Sequence, residues 1–242
     1  MITRIGGGSM NILKLHNWRN LPALVLLLIL IVLAFASVPA TAQYIAAPNS
    51  LRVALGLNLN SAEFSVSEGE YELIDFQTQR VINPSVGLVT GSWLCAPAGA
   101  GNLQISNSST ATQDISGSVL LLRQKNSSLL NVFRFQNKRY RGDLLLQNYG
   151  GKLHVINVVD VEQYLYGVVG AEMGSSAPDE ALKAQAVVSR TYAYYCKEHP
   201  QLLYDLGTTT QWQVYNGYDG EVLSGQRIKA AVDATCGQVI TY

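Results

Sequence analysis

The stretch Asp143-Leu144-Leu145-Leu146-Gln147-Asn148-Tyr149-Gly150-Gly151-Lys152-Leu153-His154-Val155-Ile156 holds two apolar runs around a turn signal. Asn148-Tyr149-Gly150-Gly151 is hairpin chemistry, because adjacent glycines supply backbone conformations that other residues resist. The flanking runs therefore read as two antiparallel strands. Upstream the same pattern recurs in short pieces. Arg52 to Leu57 and Glu63 to Val66 alternate weakly, Tyr71 to Ile74 follows a turn at Gly69, and Val119 to Leu122 is a brief apolar run. Between them, Ala96 to Thr112 is rich in Gly, Ser, Asn and Ala and reads as a surface loop. Short strands with frequent turns predict antiparallel or barrel-like sheet.

Downstream the period changes. Val161 to Tyr166 leads into the segment Gly167 to Met173, and after Gly174-Ser175-Ser176-Ala177 comes Pro178, with Asp179 and Glu180 behind it. Proline at the first helical position and acids in the first turn mark a helix start. Leu182, Ala186, Ser189, Ala193 and Cys196 recur at helical spacing and form a small-residue face suited to close packing on a sheet. Lys197 lies near the end, and His199-Pro200 stops the helix. The predicted fold class is α+β, a β-rich N-terminal part (43–138) followed by a mixed core (139–242) with one prominent helix over about 178–198. Ile228 to Ala234 reads as the start of another helix and Gln238 to Tyr242 as a strand. A chain ending on an apolar strand without a polar tail predicts a core that is cut short.

The 242 residues suffice for one large domain or two small ones. Lys and Arg total 17 and Asp and Glu total 17, so the chain has no electrostatic footprint for nucleic acid or an anionic membrane surface. The three cysteines, Cys95, Cys196 and Cys236, show no CxxC spacing and are too few for a disulfide scaffold, so at least two read as small buried apolar residues.

Lys14 and Arg19 stand ahead of an uncharged apolar run from Leu21 to Ala36, followed by Ala40-Thr41-Ala42. A basic region, an apolar region and Ala-x-Ala are the three parts of a secretory signal. Residues 1–42 therefore predict export to the periplasm or cell envelope, with cleavage after Ala42. The run is short of the roughly 20 residues that a spanning helix wants. Met10 starts a signal of ordinary proportions and is the predicted true start.

Several motifs, in order, resemble the SpoIID/LytB family of envelope proteins. They are Tyr140-Arg141-Gly142; Leu153 to Asn157; Val161 to Val169; Ala171-Glu172-Met173; Glu180 to Val187; Ser189 to Ala193; Gln213-Val214-Tyr215-Asn216-Gly217; and Ala231 to Gly237. The resemblance implies action on peptidoglycan glycan strands. Sporulation members are lytic transglycosylases acting on strands without stem peptides, and LytB-type members enhance an N-acetylmuramoyl-L-alanine amidase. The family's catalytic glutamate maps onto Glu172. Three departures stand out. The proline usual after Glu-Met is Gly174, which loosens the following loop. Gly207 and Trp212 stand near the places where some members carry metal-ligating cysteines, so neither zinc nor any other cofactor is expected. The family core also continues beyond Tyr242 with a Gly- and Ser-rich segment.

One carboxylate suffices for a lytic transglycosylase, because the sugar's own 6-hydroxyl is the nucleophile, whereas hydrolysis usually needs two. Such an acid works best with a pKa raised by apolar neighbours, which Val168, Val169, Ala171 and Met173 are expected to supply. Taken without the resemblance, Glu172 is as ordinary as any solvated or capping glutamate. Arg190 is a candidate to orient Glu172 or hold a sugar substituent, with a salt bridge to a nearby acid as its alternative. Gln185 and Gln213 are candidates to bind sugar hydroxyls, with a turn cap as the alternative for Gln213, and Tyr192 and Tyr215 are candidates to stack on sugar rings, against the commoner role of tyrosine in packing. His154 and His199 read as structural. Ser175 and Ser176 lack a His-Asp set, which argues against a serine hydrolase.

Overall fold

Paired glycines close the hairpin of the opening stretch. In a computed structural model, which describes residues 44, 46–82, 91–107, 110–115 and 117–241, Gly150 and Gly151 have φ of 61° and 75°. They join β11 (Asp143–Tyr149) to β12 (Lys152–Asp160). Every position of β12 from Leu153 to Val159 is buried, which a strand achieves only when covered on both faces.

The remaining strands are β1 (Ser50–Leu59), β2 (Ala62–Glu68), β3 (Tyr71–Asp75), β4 (Arg80–Val81), β5 (Ser92–Pro97), β6 (Leu103–Asn107), β7 (Thr110–Ile115), β8 (Val119–Gln124), β9 (Val132–Phe135) and β10 (Lys138–Arg141). They form two six-stranded antiparallel sheets, in the orders β1-β12-β11-β8-β3-β4 and β10-β9-β2-β5-β6-β7. One core joins inward residues of both sheets, among them Leu122, Leu146 and Val155 of the first and Phe64, Trp93 and Phe133 of the second. A smaller cluster, Ala54, Val119, Leu121, Leu145, Ile156 and Val158, covers the other face of the first sheet. Both sheets take strands from either side of position 138, with β12 pairing directly on β1. The segment read as a loop, 96–112, instead contains the end of β5, all of β6 and the start of β7. Alternating burial of Leu103 and Ile105 is the period-2 signal that its Gly- and Ser-rich composition obscured.

Three helices follow: α1 (Val161–Met173), α2 (Asp179–Glu198) and α3 (Gly217–Ala234). Helix α1 was not expected, although its signals are in the sequence. Asp160 caps it, its carboxylate accepting from the N–H groups of Glu162 and Gln163. Val161, Tyr164, Leu165, Val168 and Val169 are buried along one stripe. Helix α2 matches its expected span, with Pro178 as the residue just before the first turn. Its small-residue face is buried as expected, but it packs on α1 and α3, because those helices lie where a sheet was anticipated. Helix α3 is two helical pieces meeting at Gly225, whose φ is 72°. Residues 238–241 are exposed and belong to no strand, so the strand expected at 238–242 is absent from those four positions.

Helices α1 and α3 approach closely at two glycines of α1. A Cβ on Gly167 would lie 2.7 Å from the carbonyl oxygen of Gly217, and one on Gly170 would lie 2.0 Å from Ser224 Oγ. Cys95 and Cys196 are buried and Cys236 is exposed, all three as free thiols. The export signal at 1–42 and the start at Met10 lie outside the described residues. No helix among the described residues is long and apolar enough to cross a membrane.

Candidate active site at the end of helix α1

Glu172 is the next position, one turn on, of the stripe that buries Val168 and Val169. There the helix runs past the core edge, and the side chain is exposed. Met173 is 41% exposed. The expected apolar enclosure is therefore not formed by these neighbours: two valines lie beneath the acid, and nothing of the 168–173 segment covers it.

The carboxylate is nonetheless held. Its Oε1 accepts a hydrogen bond from the backbone N–H of Val214 at 2.7 Å. Val214 sits between two buried side chains with fixed partners. Tyr164 donates its hydroxyl to Gln213 Oε1 at 3.2 Å, and Tyr215 donates to Asn157 Oδ1 at 3.0 Å. Asn157 in turn donates to the carbonyls of Arg141 and Asp143 at 2.8 and 3.1 Å, so all its polar capacity on this side is used. The Tyr164 and Tyr215 rings lie 4.8 Å apart. Burial pushes the Tyr164 hydroxyl well above the ordinary phenol range, with the fields of Tyr215, Cys196, Glu172 and Tyr192 adding to it. It therefore stays protonated and keeps donating.

The chain around Glu172 turns at Gly174, whose φ is 76°. Proline is locked near −65° and cannot adopt that angle. The following loop is not loose. Arg227 of α3 donates to the carbonyls of Ser175 and Ala177, both at 2.9 Å, and to Asp179 Oδ1 at 3.1 Å. No feature of the sequence pairs Arg227 with a loop 50 residues away, and this clamp was missed.

The six candidates separate in space. Gln213 and Tyr215 flank the residue that holds Glu172, but both are buried, so Tyr215 packs against Tyr164 and does not offer a face to a sugar. Tyr192 is half-buried, packed against the core and close enough to Tyr164 to affect its titration. Gln185 donates to Ser189 Oγ at 3.1 Å along its own helix. Arg190 points away from Glu172. Its guanidinium is 0% exposed and makes a bidentate pair with Glu162, at 2.8 and 2.6 Å. It also donates to the carbonyl of Gln238 at 3.0 Å. The acid of its alternative reading is thus Glu162, and the pair is buried on the arginine side because α1, α2 and the segment after α3 close over it.

Comparison with known proteins finds one family and one relative. The profile of the SpoIID family, described as stage II sporulation protein, matches residues 149–242. That range contains Glu172, all three helices and the Gln213–Tyr215 segment. An uncharacterised protein of Brachyspira hyodysenteriae is 38% identical over 112 residues, which make up 46% of this chain and 30% of that protein. The chain thus spans less than a third of the length of that relative.

Proposed function

We propose that the chain, whose residues 149–242 match the SpoIID family, a family related to sporulation and the cell wall, is an exported lytic transglycosylase of peptidoglycan glycan strands. Glu172 is its acid and base. One observation carries this reading: a carboxylate on the last turn of a packed helix, open to solvent, accepts a hydrogen bond from the Val214 N–H at 2.7 Å. Holding a catalytic group in one orientation on a rigid element is what proton transfer requires. In the reaction Glu172 gives its proton to the glycosidic oxygen as the bond from the muramyl C1 to that oxygen breaks. The muramyl 6-hydroxyl oxygen then bonds to C1, its proton passes to the carboxylate, and a 1,6-anhydro end results. Stem-peptide-free strands are the proposed substrate.

A second reading has an observation of its own. Glu172 is exposed and the neighbouring 168–173 residues do not enclose it, which favours a non-catalytic glycan-binding module that stimulates a cell-wall amidase. Digestion of intact and amidase-denuded peptidoglycan by the mature protein, read by mass spectrometry, separates the two. Anhydro-muramyl ends from the wild type and none from Glu172→Gln support the enzyme. No new ends, with glycan binding retained by both proteins, support the module.

A further inference from the structure

The outer face of the second sheet carries a polar groove. Phe64, Trp93, Ile105 and Phe133 turn inward to the core, so by strand alternation Glu63, Ser65, Ser92, Leu94, Ser106 and Arg134 turn outward. The register lines these up in two rows across the sheet. Arg134 pairs with Ser65 and Ser65 with Ser92, while Glu63 pairs with Leu94 and Leu94 with Ser106. Two adjoining hollows, of about 230 and 370 Å³, lie over the rows and share Glu63 and Ser92 in their linings. From β9 through β2 and β5 to β6 the groove crosses four strands, about 14 Å at the ordinary strand spacing.

Short serine side chains leave the space open, and the longer Arg134, Gln136 and Asn137 line one end. Gln136 and Asn137 are the two-residue turn from β9 to β10. Gln136 has a φ of 54°, a left-handed conformation that residues other than glycine seldom hold and that clusters at ligand sites. The same turn is tied to the candidate active site. Lys138, next to Asn137, donates to Asn216 Oδ1 at 3.2 Å, and Asn216 lies two residues beyond Val214, whose N–H holds Glu172.

The lining selects a class of ligand. Hydroxyls and carboxamides beside an exposed leucine, Leu94, suit a sugar chain, whose hydroxyl and acetamido groups donate and accept. The two charges in the groove are not paired with each other. Glu63 is engaged by the Ser92 hydroxyl, which donates to its Oε1. The guanidinium of Arg134 is exposed and makes no ion pair among the described residues. A glycan strand stripped of its stem peptides bears a free lactyl carboxylate on each muramyl residue, where an intact strand has an amide. A guanidinium takes such a carboxylate in a two-pronged fork. We propose that this groove is a second binding site for stem-peptide-free glycan, with Arg134 on the lactyl carboxylate and Ser65, Ser92 and Gln136 on hydroxyls. The site rests on the peptidoglycan reading above, but not on catalysis by Glu172.

The test reads binding and not cleavage. The mature Glu172→Gln protein is titrated calorimetrically, at low salt, with soluble glycan strands that are either amidase-denuded or intact. Arg134→Ala on that background weakens the denuded strands about fivefold, the size of an exposed ion pair, and leaves intact strands unchanged. Arg134→Lys recovers part of the loss. Ser92→Trp, at an exposed strand position that accepts an aromatic, fills the groove and weakens both ligands. Arg80→Ala removes an exposed arginine of the first sheet and changes neither. Denuded strands that do not bind the parent, or that bind Arg134→Ala and Ser92→Trp as well as the parent, overturn the groove even where the wild type makes anhydro ends. An equal loss on intact strands overturns the carboxylate as the partner of Arg134. Wild-type digests without anhydro ends, with the Arg134 dependence intact, sink the catalytic role of Glu172 and support the groove.

Discussion

Glu172 and Val214 are 42 residues apart in the chain and joined by one hydrogen bond, from the Val214 N–H to Glu172 Oε1 at 2.7 Å. Most of the matched domain holds those two groups in place. Gly167 and Gly170 let α3 approach α1, Asn157 and Tyr164 fix the segment carrying Val214, and Arg227 clamps the loop beyond Glu172.

The bond makes Glu172→Gln a clean probe. A glutamine keeps an oxygen that can accept from the Val214 N–H, and the site is exposed, so urea unfolding should show a change within about 0.5 kcal/mol. Glu172→Ala releases that N–H to water and costs no more than about 1 kcal/mol. Loss of activity in Glu172→Gln at unchanged midpoint then reports chemistry. A large stability loss in Glu172→Gln would show instead that the carboxylate supports the fold.

Arg190 behaves in the opposite way. Its guanidinium is fully enclosed while Glu162 retains some contact with solvent, at 20% side-chain exposure. Arg190→Met leaves Glu162 without its partner and should cost about 3 kcal/mol. Arg190→Lys rescues little, because an ammonium cannot make the bidentate pair and also reach the Gln238 carbonyl. Replacing both partners, Arg190→Met with Glu162→Leu, should recover part of the loss. Equal stability of the single and double variants would refute the pairing as the cause.

Gly174 carries a sharper prediction. Its φ of 76° has nothing within 4 Å of a would-be Cβ. Gly174→Ala therefore meets only backbone strain, about 1 kcal/mol. Gly174→Pro, the residue usual at this place in the resembling family, demands a φ that the present turn lacks, and should cost about 3 kcal/mol or force the loop off Arg227. Denaturant midpoints of the two variants check this, and a proline variant as stable as the alanine one would contradict it.

What the sequence made legible follows from where the signals are local. The β11–β12 hairpin rests on Gly150 and Gly151, and helix α2 on its stop, its first-turn acids and its spaced small residues, all within a few residues of one another. Helix α1 carried equally local signals in Asp160 and its apolar stripe. Gly167 and Gly170 interrupt that stripe in the sequence, when their role in the structure is close approach to α3. Position 172 came from the resemblance, since no periodicity distinguishes one glutamate. Its surroundings were not readable, because Val214, Arg227 and the Glu162–Arg190 pair are contacts between distant segments. Arg190 shows the same limit: a basic residue on a helix near a candidate acid gives no sign of which acid it faces.

His154 sets a pH dependence of stability. It lies on β12 opposite Gln147 of β11, with the Tyr149 ring edge-on to its own and the ring centroids 6.2 Å apart. Burial pushes its imidazole below the ordinary histidine range, and the backbone of Tyr149 offsets part of that. The folded state thus takes up a proton less readily than the unfolded chain, whose histidine titrates near about 6.5. Where the unfolded state binds more protons, stability rises with pH. The contribution is fully present above about pH 6.5 and is lost as the pH falls from there toward the lowered folded value. Melting temperatures of the mature chain between roughly pH 7.5 and 5 should decline below that point. His154→Leu should flatten the decline, because an apolar side chain at this buried position has no proton to take up. A profile of the same slope in His154→Leu would move the titrating group elsewhere.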